Sequence, residues 1–203
     1  GRVPDPAALA DAGQISASLG IGHTRWATHG VPSGRNAHPH TPGRVAVVHN
    51  GIIENFEAIK ASLQARGYVF TSETDTEAIA HLVHSKLQVA PDLFEAVRLA
   101  TNELVGAYAI GVLAEADPFR AIVAPRGSPL LLGVGDEGMY AASDMAALLQ
   151  VTRKVVYLED GDLAELRRDS YRIMLADGTP VEREMHLSSL SADAVELGLF
   201  KHY

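Results

Sequence analysis

Cysteine is absent from the 203-residue sequence. Disulfide bonds, thiolate metal sites and catalysis by a thiol are therefore excluded for this polypeptide, although not for residues that precede Gly1 in a longer protein. The sequence also lacks an apolar run near the roughly 20 residues that a membrane-spanning helix needs, and it has no basic amino-terminal segment followed by an apolar stretch. These absences predict a cytoplasmic protein that has no membrane partner.

The sequence also lacks a cluster of Lys and Arg residues. Lys and Arg number 17 against 25 Asp and Glu, giving a formal net charge of -8. A surface of this kind does not favour nucleic acid or anionic membranes, so we expect small molecules or other proteins as partners. Apolar residues make up 47% of the chain, which is enough to form a substantial core in one large domain.

Short runs of valine, isoleucine and leucine alternate with helical patterns, and no linker rich in Pro, Gly or Ser divides them. This arrangement predicts a single α+β domain. The close spacing of the later runs favours antiparallel pairing. The predicted strands are residues 19–23, 45–49, 68–71, 107–113, 121–124, 130–133, 139–142, 155–158, 162–166 and 171–175.

Helix start signals are found at three places in the sequence. They are Asn55 for a helix that runs to Arg66, Thr74 with Glu77 for a second helix, and Asp92 with Glu95 for a third. Two weaker helical patterns occupy residues 6–12 and residues 144–149.

Residues 23–30 form the first motif that indicates chemistry, a polar loop after a predicted strand. The planar guanidinium of Arg25 can bind a carboxylate through two parallel hydrogen bonds. Thr28 and His29 add donors on the same loop. For an isolated arginine beside Trp26, a surface ion pair and a core tryptophan would be the better explanation.

The second motif is Asn50-Gly51 at the end of a predicted strand. This dipeptide is typical of a hairpin turn. An asparagine amide beside a glycine N–H would also offer two donors to the oxyanion that forms when an amide is attacked. Taken alone, the residues favour the turn, and the oxyanion-hole interpretation is the alternative.

The third motif, residues 72–77, combines acids and hydroxyl residues at a helix start. Capping explains Thr74 and Glu77, and an acidic first turn suits the helix dipole. Asp75 is less fully explained by capping. Its carboxylate could instead hold the ammonium group of an amino acid whose carboxylate is bound by Arg25.

Four motifs in order resemble the glutaminase domain of the glutamine:fructose-6-phosphate amidotransferases, a class II amidotransferase family. They are residues 23–30, 36–40, 49–55 and 72–77, and the resemblance extends over almost all of residues 1–203. It implies the four-layer αββα sandwich of the N-terminal-nucleophile hydrolases. It also implies sugar-isomerase-type synthase domains after residue 203, a homo-oligomer, and an enzyme that makes glucosamine 6-phosphate and glutamate from fructose 6-phosphate and glutamine.

The resemblance further implies a role for each matching site residue. Arg25, Thr28 and His29 would bind the α-carboxylate of glutamine, while Asp75 and the Gly51 region would hold its α-amino group. Asn50 and the Gly51 N–H would form the oxyanion hole. Trp26 would belong to a loop over residues 25–33 that closes on glutamine and gates the passage of ammonia.

The sequence departs from this family at its start, where the family has a nucleophilic amino-terminal cysteine. We therefore expect an N-terminally truncated domain that does not turn over glutamine. The missing sheet material would leave the apolar faces of the strands near Leu19 and Val45 poorly covered. A natural cysteine-free module that senses glutamine or mediates association is the alternative.

A metal site is a further hypothesis, because His38 and His40 form an H-x-H pattern that can bind zinc from an extended segment. No carboxylate lies at close spacing, so hydrogen bonding within a loop is the favoured explanation. We predict neither a metal nor a cofactor.

Overall fold

Two antiparallel sheets form the centre of the protein, as the alternating apolar runs predict. The computed structural model describes residues 17–24 and 29–189. The first sheet has the strand order β1-β2-β3-β7-β8-β9 and the second the order β10-β6-β4-β5. The strands are β1 (Val45–Ile53), β2 (Gly106–Ala114), β3 (Asp117–Arg126), β4 (Leu131–Val134), β5 (Met139–Ala142), β6 (Lys154–Tyr157), β7 (Asp162–Leu166), β8 (Tyr171–Leu175), β9 (Pro180–Val181) and β10 (Met185–Leu187).

Three helices follow the predicted start signals: α1 (Phe56–Ala65), α2 (Asp75–Leu87) and α3 (Leu93–Thr101). The Thr74 side chain accepts from the N–H of the third residue of α2, and Asp92 caps α3 in the same way. Asn55 makes no such bond to α1, because its amide donates to the carbonyl of Glu103 and accepts from Val105 N–H. None of the described helices is long and apolar enough to cross a bilayer.

The layers of the fold are held together by three groups of buried apolar side chains. Helices α2 and α3 cover one face of the first sheet, where Ile79, Val83 and Val97 pack with side chains of β1, β2 and β3. The other face packs on the second sheet through residues such as Val123 and Leu132. On the outer face of the second sheet, β4 and β6 pack against Leu148, which follows the 3-10 turn Met145–Ala147. This order of helix, sheet, sheet and outer segment confirms the predicted α+β sandwich.

The predicted strands are confirmed except at two places. Residues 19–23 and 68–71 are not strands. At the second place, Thr71 N–H donates to the Glu77 carboxylate instead of to a neighbouring strand. The helix predicted over residues 144–149 shortens to the single 3-10 turn, capped by Asp144. Strands β9 and β10 were not predicted, and residues 6–12 lie outside the described part.

The two faces of β1 differ in how well they are covered. Val45 and Val47 are completely buried under the helices, so the expectation of poor cover at Val45 is wrong for this face. On the opposite face Val48 is half-buried and Ile52 is 45% exposed. Leu19 is half-buried and packs against the core between the sheets. Poor cover is therefore confined to one face at the carboxyl end of β1.

Candidate functional site

The site is organised around the side of β1 that faces away from β2, which we call the outer edge of β1. Val47 exchanges two backbone hydrogen bonds with His40 on this side, of 3.1 and 2.9 Å. Six residues further on, Ile53 N–H donates to Oδ2 of Asp75 over 3.0 Å. The N–H groups of alternate strand residues point to the same edge. Gly51 lies between these two bonded residues, two positions before Ile53.

The Asn50-Gly51 pair is part of β1 and not of a hairpin, so the turn interpretation is wrong. Asn50 is opposite Ala109 and Gly51 is opposite Tyr108 in the pairing with β2. Gly51 has a φ of 138°, and a Cβ at this position would lie 2.1 Å from the carbonyl oxygen of Ala107. Only glycine fits such a close approach of two backbones.

Asn50 is exposed, whereas its neighbour His49 is buried. Successive side chains on a strand point to opposite faces, so Asn50 lies on the face of β1 that is turned away from α2. The side chain of Asn50 is thus accessible, and Asn50 directly precedes Gly51 in the strand. The roles of Asn50 and Gly51 as oxyanion-hole donors stay predictions.

Asp75 is the first residue of α2 and is only 3% exposed. Besides its bond to Ile53, its Oδ1 lies 3.7 Å from Nδ1 of His49 and its Oδ2 lies 3.7 Å from Nδ1 of His29. The helix dipole favours a negative group at this position. The structure thus brings His29 and Asp75 together at the end of β1 that carries Asn50 and Gly51.

His49 is a site residue that the sequence reasoning did not select. Its Nδ1 is 3.1 Å from Oγ1 of Thr76. Burial lowers the pKa of His49 to about 4, although the carboxylate of Asp75 acts in the opposite direction. The imidazole is therefore neutral at pH 7 and does not neutralise Asp75. The sequence signal that could have identified His49 is its position, a polar residue inside an apolar strand, directly before Asn50.

The start of α2 is fixed by Glu77, which is buried. Its carboxylate accepts from the N–H groups of Thr71 and Ser72, over 2.8 and 2.6 Å. Burial by itself would raise the pKa of Glu77, but the hydrogen bonds from Thr71 and Ser72 outweigh it and leave this pKa lowered. These bonds hold the turn that presents Asp75 to β1.

Asn36 joins the loop after His29 to this same turn. Its amide nitrogen donates to the carbonyl of Val31 over 2.9 Å and to Oε2 of Glu73 over 3.2 Å. Its amide oxygen accepts from the N–H of Glu73 over 3.1 Å. No local pattern predicts this contact of the buried asparagine, because its partner lies 37 residues away in the chain.

The histidines of the H-x-H pattern make hydrogen bonds. Nδ1 of His38 lies 2.8 Å from Nδ1 of His23, and Nε2 of His40 lies 2.8 Å from Oγ1 of Thr74. Within residues 17–24 and 29–189, no three His, Asp or Glu side chains are grouped so that they could hold a metal ion. The arrangement gives no support to the zinc hypothesis.

Three of the predicted glutamine-binding residues, Arg25, Trp26 and Thr28, lie outside the described residues. Their roles stay predictions. The chain connects this segment directly to His23 and Thr24 on one side and to His29 on the other, and all three of these flanking residues are described.

Comparison with known proteins shows similarity to amide-transferring enzymes. A family model described as a glutamine amidotransferase domain matches residues 23–150. The chain is 56% identical, over its whole length, to the glutamine–fructose-6-phosphate aminotransferase (isomerizing) of Acidithiobacillus ferridurans, and 52% identical to that of Xylella fastidiosa strain Temecula1. It spans 33% of each of these relatives.

A solved structure supports the same relationship. The glutamine phosphoribosylpyrophosphate amidotransferase of B. subtilis superposes with a TM-score of 0.57 at 25% sequence identity. The match covers 83% of this chain and 35% of that one.

Proposed function

Because the chain belongs to the family of glutamine amidotransferase domains, we propose that it binds glutamine at the outer edge of β1. The observation that carries the proposal is the place of Asn50 and Gly51 on β1, between the residues bonded to His40 and to Asp75, with Asn50 exposed. Together they supply two donors to the amide oxygen of glutamine, where negative charge develops during amide transfer.

Asp75 supplies the opposite charge for the ligand ammonium group. Its carboxylate is buried, and the neutral His49 next to it supplies no positive charge. A buried charge is costly without a partner, so a cationic ligand group is favoured there. Ile53 N–H binds one oxygen of the carboxylate and fixes its orientation.

The α-carboxylate of glutamine is bound by Arg25, Thr28 and His29 in this proposal, so the amino acid is recognised from both ends. His29 is already held beside Asp75, at 3.7 Å. The ring of Phe56 packs edge-on against His29, with centroids 4.9 Å apart, which limits its rotation. Trp26 covers the bound ligand and helps to gate ammonia.

The longer protein is a cytoplasmic, homo-oligomeric transferase in this proposal. It makes glucosamine 6-phosphate and glutamate from fructose 6-phosphate and glutamine, using sugar-isomerase-type domains beyond residue 203. The names of the relatives support this proposal. Their length supports it too, because this chain spans about a third of each. Since the chain holds no cysteine, we expect it to bind glutamine without hydrolysing it.

Calorimetric titration with glutamine tests the binding site. Arg25→Ala should weaken binding about 100-fold, because two charge-assisted hydrogen bonds are lost. Arg35→Ala removes an exposed arginine nearby and is the matched control, which should bind as the parent does. Equal affinity of the parent and Arg25→Ala would refute the assignment of the carboxylate site.

An ammonia-release assay tests the second part of the proposal. The chain should give no ammonia above the background measured without protein. Turnover that survives repeated purification would show that another nucleophile acts in this site.

A further inference from the structure

His23 and His38 meet through their Nδ1 atoms, 2.8 Å apart. The two rings are inclined by only 16°, with centroids 4.7 Å apart. Both residues are half-buried, so protons from solvent can reach them. An imidazole Nδ1 either carries a proton and donates or lacks one and accepts. A contact this short therefore requires one proton shared between the two nitrogens.

His38 belongs to a segment that is firmly attached to the site. Two residues further on, His40 is paired with Val47 of β1 through two backbone bonds. The ring of His40 also bonds to Thr74, the residue before Asp75. His23 lies two residues before Arg25 in the chain. The pair thus connects the described residues before Arg25 to the frame that holds Asp75.

We propose that the His23–His38 pair is a proton-sharing tether that holds the described residues before Arg25 against the segment of His38 and opens when both rings become protonated. With one shared proton, one Nδ1 donates and the other accepts. With both rings doubly protonated, two N–H groups and two positive charges face each other. The effect of the tether on glutamine binding rests on the proposed function, whereas the shared proton does not.

Other titratable groups lie near the tether. They are His40 on the segment of His38, His49 on β1, His29 after the loop, and Asp75 at the start of α2. A variant that alters only the shared proton is therefore needed to separate the tether from its neighbours.

Two substitutions at one position provide this separation. In His38→Asn the Oδ1 atom is at the same branch of the side chain as Nδ1 and always accepts, so the bond to His23 survives when His23 is charged. In His38→Phe a ring remains but the acceptor is lost. Urea unfolding of both variants shows whether they fold like the parent.

The first measurement is ligand-free. Nitrogen-15 NMR of the imidazoles at about pH 8 should show one protonated and one unprotonated Nδ1 in the pair, and two protonated Nδ1 atoms at about pH 5. The same protonation state on both Nδ1 atoms at about pH 8 would overturn the tether.

The second measurement compares glutamine affinity by calorimetry across the same range. From about pH 8 to about pH 5 the parent should lose about fivefold in affinity relative to His38→Asn, as expected for one hydrogen bond. His38→Phe should bind more weakly than His38→Asn throughout. A pH-independent ratio between the parent and His38→Asn would contradict the positioning role.

Failure of the glutamine site would be distinguishable from failure of the tether. If no variant binds glutamine but the ring signals show one proton between the two Nδ1 atoms at about pH 8 and a proton on each at about pH 5, the tether is supported and the proposed ligand is wrong.

Discussion

Ile53 N–H donates to Oδ2 of Asp75 over 3.0 Å, so the last residue of β1 is bonded to the first residue of α2. The same carboxylate lies near His29 and His49. Asp75 therefore has a structural role as well as its proposed ligand role. The two can be separated, because an amide can replace the acceptor but not the charge.

Asp75→Asn should retain the bond to Ile53 and lose glutamine affinity. Asp75→Ala should lose both, since the buried N–H of Ile53 is left without its acceptor, at a cost of about 1–3 kcal/mol in the free energy of unfolding. Urea midpoints and calorimetric titration of both variants measure the two effects. Unchanged glutamine affinity in Asp75→Asn would exclude the ammonium role.

Gly51→Ala should destabilise the protein by about 3 kcal/mol, through backbone strain together with a clash against β2. The φ of 138° is unfavourable for alanine, and the new Cβ would lie 2.1 Å from the oxygen of Ala107. Gly67→Ala is the control: its φ is 88°, but nothing lies within 4 Å of the added Cβ. Equal unfolding midpoints of the two variants would show that the close approach to β2 is not tight.

The stability of the fold should fall in acid because of His49. Burial lowers the folded-state pKa from 6.5 to about 4, so the unfolded chain binds the proton more readily. The free energy that neutral His49 contributes to folding is therefore complete above pH 6.5. It is lost as the pH falls toward 4, and the total loss is about 3 kcal/mol. Urea unfolding at a series of pH values measures this slope.

Two substitutions test whether His49 causes this pH dependence of the free energy of unfolding. His49→Asn should flatten the pH dependence between 6.5 and 4, whatever its absolute stability. His186→Gln alters an exposed histidine on β10 and should keep the slope of the parent. A slope that survives His49→Asn would have to come from another group.

Glu77→Gln should destabilise the start of α2 by about 1–3 kcal/mol, because one acceptor oxygen becomes a donor that faces a backbone N–H. Both carboxylate oxygens are in use, one by Thr71 and the other by Ser72. Glu73→Gln changes an exposed glutamate in the same turn and should have a much smaller effect. Thermal or urea unfolding of the two variants provides the comparison.

The elements that the sequence predicted well depend on local patterns. Strands β5, β7 and β8 have the predicted bounds, and Thr74 and Asp92 cap helices as their spacing indicates. In each case a short apolar run or a capping residue determines the element with little help from distant residues.

The contacts that assemble the site could not be predicted in the same way. The bonds from His38 to His23, from Asn36 to Glu73 and from Ile53 to Asp75 join residues 15, 37 and 22 positions apart. Their partners are set by tertiary packing, which local patterns do not contain. The Asn50-Gly51 pair was ambiguous for the same reason, since β2 decides that the strand continues.

The bonds at the two ends of the outer edge of β1 also affect how copies of the chain meet. His40 occupies the backbone groups of Val47, and Asp75 occupies the N–H of Ile53. A strand from another molecule would have to displace both before it could pair along β1. Exposed strand edges are the usual starting points of aggregation. The contacts that shape the proposed ligand site therefore also hinder the pairing of β1 with a strand of another molecule.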